Sequence, residues 1–288
     1  MFKCVEMNSC GRASETSRSQ LSLILLSKFS ASLSRCLLAT LALPLTIGTL
    51  SAAQQPPTLL VAAAADLAPI QDDLRLSFYK VSGERVTFVL ASSGMLVQQI
   101  RQGAPYDVYL SANESFVQDA VRTGHVIADS VRVYAHGRLG LWSKDGKCRA
   151  LKDLVDSSVR HIAIANPAHA PYGMAAREAL KNQGLLDLLS EKLVLGENVR
   201  QAFQLGESRN ADAVVTAWTL LFDKGGVLLP ESWHKPIRQA GGVVAASPRR
   251  RSAEAFLNFL TSPAGRDLLQ RKGLFPPTPS DAPGRRRP

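Results

Sequence analysis

Short apolar runs alternate along this chain with stretches whose apolar residues recur every three to four positions. These are the signatures of buried strands and of amphipathic helices. Residues 58–64, 86–90, 106–110, 138–142, 162–165, 193–195, 213–217 and 241–246 read as strands. The segments 67–78, 95–100, 116–121, 171–180 and 200–206 read as helices, as do 252–260 and 263–270 at the end. Shorter helical pieces are expected at 151–155 and 187–192. Such alternation argues for an α/β architecture, with mostly parallel sheets flanked by helices. Glycine-containing segments near 134–137 and 239–242 divide the pattern into two sets. The expected organisation is therefore a discontinuous first domain, 58–136 plus 240–276, and a second domain, 137–239. A ligand cleft between them would collect the carboxyl ends of strands from both.

The two ends of the chain fall outside this pattern. Lys28 and Arg35 precede an apolar run, 36–48, followed by Ser51-Ala52-Ala53. That is the layout of a secretory signal, with residues 1–53 as leader and cleavage expected after Ala53. The run is too short, and too broken by Pro44 and Gly48, to make a good membrane span. The product would be periplasmic. Of 34 Lys and Arg and 24 Asp and Glu, the leader holds five basic and two acidic residues. The mature chain would keep 34 − 5 = 29 and 24 − 2 = 22, a net charge of +7 against +10 for the whole. Cys4, Cys10 and Cys36 also lie in the leader, so Cys148 would be left alone with no intrachain disulfide. Residues 277–288, rich in Pro, Gly and Arg, read as a disordered tail. The positive charge is scattered and carries no nucleic-acid motif, which argues against a nucleic-acid partner.

Candidate chemistry gathers where strands turn into helices. In 162–180, Asn166-Pro167 ends a strand and Pro171 fits the first turn of a helix. The N–H groups of Tyr172, Gly173 and Met174 then lack intrahelical acceptors and suit an anion. Three more loops share the pattern: Ala64-Ala65-Asp66, Ala91-Ser92-Ser93-Gly94 and Glu197-Asn198-Val199. Two belong to each domain. Together they would hold a small anion on neutral donors and helix dipoles. Asp66 reads as the N-cap of its own helix. His136, His161, His169 and His234 show no metal-ligand spacing, and His169 is expected to be exposed. Trp142, Trp218 and Trp233 read as packing residues. Ser92 or Ser93 as a nucleophile lacks a G-x-S-x-G elbow and a placed His/Asp pair.

The segments 61–67, 91–94, 103–112 and 166–173, with Gly103-Ala104-Pro105 and Asn166-Pro167…Ala170-Pro171-Tyr172-Gly173, closely resemble the periplasmic molybdate-binding proteins of molybdate ABC transporters. The resemblance spans roughly Leu59 to Phe275. It implies a class II periplasmic binding-protein fold that binds a tetrahedral oxyanion, molybdate and usually tungstate. Carried over by position, Ser93 gives a hydroxyl and an N–H, and Tyr172 and Val199 give backbone N–H groups. Ala65 and Asp66 fall where the first loop meets the oxyanion. Members of the family commonly carry a hydroxyl residue at the position of Ala65, and some a tyrosine at that of Ala217; both donors are absent here. An ionised Asp66 would repel a dianion, so its carboxylate is expected to turn to its helix while the loop N–H meets the ligand.

The resemblance further implies a binding protein and not an enzyme, a membrane permease as partner, no cofactor and no direct protein–metal bond. A monomer is expected. The altered first loop keeps sulfate, phosphate or a small organic anion open as other ligands, and a secreted serine hydrolase is the remaining alternative. Tyr172 is expected to act through its N–H alone, so that Tyr172→Phe would be nearly silent.

Overall fold

The computed structural model describes residues 58–278 and Asp281. The leader, its cleavage site at Ala53 and its three cysteines lie outside the described residues.

The first lobe is built on β1 (Leu59–Ala64), β2 (Val86–Ala91), β3 (Val108–Ser111) and β4 (Arg132–Gly137). The second is built on β5 (Leu139–Trp142), β6 (Ile162–Ala165), β7 (Leu193–Gly196), β8 (Ala213–Ala217) and β9 (Val227–Leu228). The chain then returns through β10 (Ile237–Val243) to the first sheet. The sheet orders are β2-β1-β3-β10-β4 and β7-β6-β8-β5-β9. In each, one strand runs against the others: β10 is antiparallel to β3 and β4, and β5 is antiparallel to β8 and β9. The remaining pairings, β1 with β2 and β3, and β6 with β7 and β8, are parallel. The reversed strands are those nearest the two crossings between lobes.

Helices cover both faces. In chain order they are α1 (Gln71–Ser82), α2 (Ser93–Arg101), α3 (Glu114–Arg122), α4 (Pro171–Asn182), α5 (Leu186–Leu189), α6 (Val199–Glu207), α7 (Trp218–Leu221), α8 (Arg250–Thr261) and α9 (Pro263–Arg271). The central strands β1, β3, β6, β8 and β10 are buried almost throughout, as continuous apolar runs must be when a sheet is covered on both sides, while β2, β7 and β9 at the sheet edges are only partly buried. One face of the first sheet packs Leu74 and Phe78 of α1 against Phe256 and Leu260 of α8. Phe78 and Phe256 meet edge to face at 5.1 Å. The other face packs Leu96 and Val97 of α2 with Val117 and Ala120 of α3. In the second lobe, Ile162, Ile164 and Val215 pack under Ala176 and Leu180 of α4, and the free Cys148 is buried in the same core.

Several segments differ from the sequence reading, including the short strand β9 and the short helix α7, neither of which it contains. Residues 132–137 form β4, although Gly137 reads as a breaker. Their extended state is held by antiparallel pairing with β10, a partner about a hundred positions away in a register no local pattern carries. The last strand is 237–243, not 241–246, so the second crossing precedes Ile237 instead of falling at 239–240. The polar pair Arg238-Gln239 hides its start. The tail also departs in part from the disorder expected over 277–288. The Asp281 carboxylate accepts hydrogen bonds from Thr278 N and Oγ1, each at 2.7 Å. It also meets His136 Nε2 and Arg238 Nη2, both at 2.7 Å. His136 and Phe275 exchange backbone hydrogen bonds beside the first crossing. The rest of that tail lies outside the described residues.

Candidate functional site

The ends of β1, β2, β6 and β7 all reach the junction between lobes, each leading into a helical turn. Residues from these four loops, with Ala112, line one small cavity. The structure places Ala65, Asp66, Ser93, Tyr172 and Val199 together around it. Ala217 is not among the lining residues and is buried in the core of the second lobe. No Lys, Arg or His lines the cavity. Any anion there would rest on neutral donors and on the positive ends of helices.

Local structure decides which donors remain available. Ser93 is the first residue of α2, so its N–H has no intrahelical acceptor. Its Oγ accepts a hydrogen bond from Ala112 N at 3.0 Å. A hydroxyl so engaged as acceptor still has its proton to donate. The Tyr109 hydroxyl donates to Ser93 O at 2.8 Å and fixes the turn from behind. Val199 is the first residue of α6, and the Asn198 Oδ1 cap takes the N–H groups of Arg200 and Gln201 at 3.0 and 3.1 Å. The cap thus satisfies the second and third donors and leaves that of Val199. Tyr172 is the second residue of α4, whose Pro171 has no N–H to offer. Gly94 does not contribute, because its N–H donates to His169 O across the lobes at 2.9 Å.

Asp66 does not cap its helix. It sits inside a short 3-10 turn, Ala65–Leu67, with no side-chain cap, and α1 starts only at Gln71. Its side chain is fully buried and turns inward. Oδ2 accepts hydrogen bonds from the Tyr172 hydroxyl at 3.1 Å and from Gln239 Nε2. Gln239 Nε2 also donates to the Tyr172 hydroxyl at 2.9 Å, and the Tyr134 hydroxyl donates to Gln239 Oε1 at 2.8 Å. Burial pushes the Asp66 carboxyl up to about 6, against the lowering effect of the Gln239 and Tyr172 donors. Burial and the neighbouring Asp66 raise the Tyr172 phenol well above its usual range, which keeps it a donor. The backbone of Asp66 is held as well, with Thr219 Oγ1 donating to its carbonyl at 2.7 Å.

Three expectations are corrected by this network. The Asp66 carboxylate turns away from its helix because two donors, the Tyr172 hydroxyl of the second lobe and Gln239 Nε2 of β10 in the first sheet, hold it in a turn too short to form a cap. The Tyr172 ring takes part through its hydroxyl. Gly137 leaves it the space: a Cβ at that position would stand 2.1 Å from the Tyr172 hydroxyl. Tyr172→Phe should therefore not be silent. It removes a donor from Asp66 and an acceptor from Gln239, both buried. A loss of about 1–3 kcal/mol of stability is expected, read as a lowered urea midpoint; an unchanged midpoint would contradict it. His169, third, is only partly exposed. Its Nδ1 lies 2.7 Å from Ser92 Oγ and its Nε2 3.5 Å from Glu197 Oε2. It spans the junction between lobes as a latch. Gln239, Tyr134 and Thr219 had no sequence signal: Tyr134 and Gln239 lie in the glycine-containing segments read as divisions of the chain, and Thr219 lies in no element the pattern marks.

Two α/β lobes joined by two crossings, with helix N-termini from both aimed at one small cavity, define a two-lobed solute-binding protein. The profile of the bacterial extracellular solute-binding proteins matches residues 59–275, and the chain belongs to that family. Similar proteins include "Molybdate-binding protein ModA" of Rhodobacter capsulatus, 32% identical over 218 residues, covering 74% of this chain and 86% of that protein. The protein of the same name from Escherichia coli K12 is 30% identical, over 74% of this chain and 87% of its own. The solved periplasmic molybdate-binding protein of Azotobacter vinelandii superposes with a TM-score of 0.73 at 30% identity, covering 76% of this chain and all of that one. No helix among the described residues is long and apolar enough to cross a membrane.

Proposed function

We propose that this chain captures molybdate, and tungstate, outside the cytoplasm and delivers it to the membrane permease of an ABC transporter. The observation that carries the reading is the convergence of the Ser93 hydroxyl with helix N-terminal N–H groups of Ser93, Tyr172 and Val199 in one cavity that has no cationic lining residue. Neutral donors from two lobes favour a small tetrahedral dianion and let it go again when the lobes part. The relatives' names agree with that ligand. Ala65 and Asp66 would meet the ligand from the first loop. The protein would work as a monomer without a cofactor, after cleavage of its leader near Ala53. Molybdenum would enter only as the bound oxyanion, with no direct protein–metal bond.

Sodium molybdate at a hundred times its Kd should stabilise the fold by about 2.7 kcal/mol, visible as a raised melting temperature. Sulfate and phosphate at equal concentration should do less. No shift with molybdate or tungstate would remove this reading, and a larger shift with sulfate or phosphate would replace the ligand.

A second reading has one observation in its favour. Ser92 Oγ is hydrogen-bonded to His169 Nδ1, as a nucleophile would be to its base, and Glu197 Oε2 stands 3.5 Å from the other ring nitrogen. The small cavity leaves little room for an acyl substrate beside them. Labelling of Ser92 by a fluorophosphonate would support the hydrolase; an inert protein would dismiss it.

A further inference from the structure

Asp66 poses a problem for a site that takes a dianion. Its residue lines the cavity, its side chain is fully buried, and no Lys or Arg compensates it there. Its two oxygens differ. Oδ2 is held as an acceptor by the Tyr172 hydroxyl and Gln239 Nε2. Oδ1 is buried and has no hydrogen-bond partner. A buried carboxylate oxygen without a partner is costly. A proton on Oδ1 turns that oxygen from an unpaired acceptor into a donor, in a residue that is itself among those lining the cavity.

We infer that Asp66 binds its ligand as the neutral acid, with a proton on Oδ1 donated to an oxygen of the oxyanion, so that capture of the dianion draws one proton from solvent. This rests on the proposed oxyanion reading and deepens it. The carboxyl then fills the place of the hydroxyl that Ala65 cannot supply. The site becomes a proton-linked one, tighter in acid than in base.

The surroundings favour the neutral form. Around the Asp66 turn, α4 presents the Tyr172 hydroxyl, β10 presents Gln239, and β4 presents Tyr134 behind it. From α7 comes the Thr219 hydroxyl, directed at the backbone carbonyl. β2 carries no ionisable residue, its one polar side chain, Thr87, being exposed, and Arg200 on α6 is exposed. Arg238, next to Gln239, is engaged with Glu114 and Asp281. Arg138 is engaged with Leu229 O and Glu231. His169 and Glu197 stand beside Ser92 at the junction. Burial holds the carboxyl at about 6 even before a ligand arrives, so the cost of protonation near neutral pH is small. An adjoining dianion would push it higher still.

The test is calorimetry of the full chain with sodium molybdate, in pairs of buffers that differ in ionisation enthalpy. At pH 8 close to one proton should be taken up per ion bound, and Kd should rise about tenfold per pH unit between pH 7 and 9. Asp66→Asn places an amide N–H where the acid proton would be. It should bind molybdate more tightly than the parent at pH 8, with no proton uptake and a flat Kd. A pH dependence that survives in D66N would assign the effect to His169 and overturn the inference. Tight binding by the parent with proton uptake near zero would also overturn it while leaving the proposed function standing. No binding of molybdate anywhere between pH 5 and 9 would remove both. If D66N does not fold, the proton count of the parent decides alone.

Discussion

Replacing Ser93 with alanine is expected to weaken oxyanion binding by about 10- to 100-fold. A hydrogen bond to a charged partner contributes about 1.5–3 kcal/mol, and tenfold corresponds to about 1.4 kcal/mol. The reason for choosing this residue is orientation. Ala112 N donates to Ser93 Oγ at 3.0 Å, so the hydroxyl proton is not needed inside the protein. The backbone N–H of residue 93 survives the substitution, and binding should be weakened without being abolished. A second effect accompanies it. Ala112 N–H loses its acceptor in a buried setting, which should cost about 1–3 kcal/mol of stability. Calorimetry with molybdate and urea unfolding separate the two losses. An unchanged Kd with a lowered urea midpoint would mean that the hydroxyl serves only the fold.

Gly173→Ala should be strongly damaging to both fold and site. In a helix interior alanine is favoured over glycine by about 1 kcal/mol, so local propensity predicts a gain. The tertiary structure reverses the sign. A Cβ at residue 173 would stand 2.0 Å from Ala165 O and 2.7 Å from Ala165 C. Both are backbone atoms at the end of β6, and no rotamer change can move them aside. The first turn of α4 would have to lift off the strand, displacing the Tyr172 N–H from the cavity and its hydroxyl from Asp66. Overpacking of this kind costs about 1–3 kcal/mol and occasionally more, with the upper end expected here. Melting temperature and molybdate affinity should fall together. A variant as stable as the parent would show that the helix start has slack the structure does not reveal.

Much of the fold is legible in the residues. The β-branched and alanine-rich runs of β1 and β6 are apolar throughout, and that of β8 is apolar but for Thr216, because sheets covered on both faces leave no polar alternation. Pro171 and Asn198 mark helix starts by their own chemistry, and both stand where that chemistry places them. Among the strands that escaped, β4 and the start of β10 hold their shape through each other, and the two-residue β9 pairs with β5. Gly137 and the pair Arg238-Gln239 resemble a hinge and a linker until the partner strand is known. Gln239 is polar and fully buried because one amide serves Asp66, Tyr172 and Tyr134 at once. No periodicity encodes that.

The family resemblance was likewise readable from short motifs, and the match over residues 59–275 bears it out. Its details needed the third dimension. Asp66 looks like a helix cap from its position before an apolar stripe. In the folded chain its partners come from positions 172 and 239, and a short 3-10 turn intervenes before the helix. His169 looks like a surface residue in a loop, yet the junction between lobes gives it Ser92 on one side and Glu197 on the other.

By itself the sequence determined that four strand ends would turn into helix starts and offer free N–H groups. That follows from local rules: where an apolar run stops, which residue caps, and where proline fits. Only the tertiary structure decided which of those donors stay free. Gly94 gives its N–H to His169, Ser93 keeps its hydroxyl proton because Ala112 supplies the other contact, and Asp66 is left with one unpaired oxygen. Each outcome depends on a partner at least nineteen positions away, brought near by the folding of the first lobe for Ala112 and by the packing of two lobes for His169 and Tyr172. The chemistry of the cavity is set by that subtraction of donors.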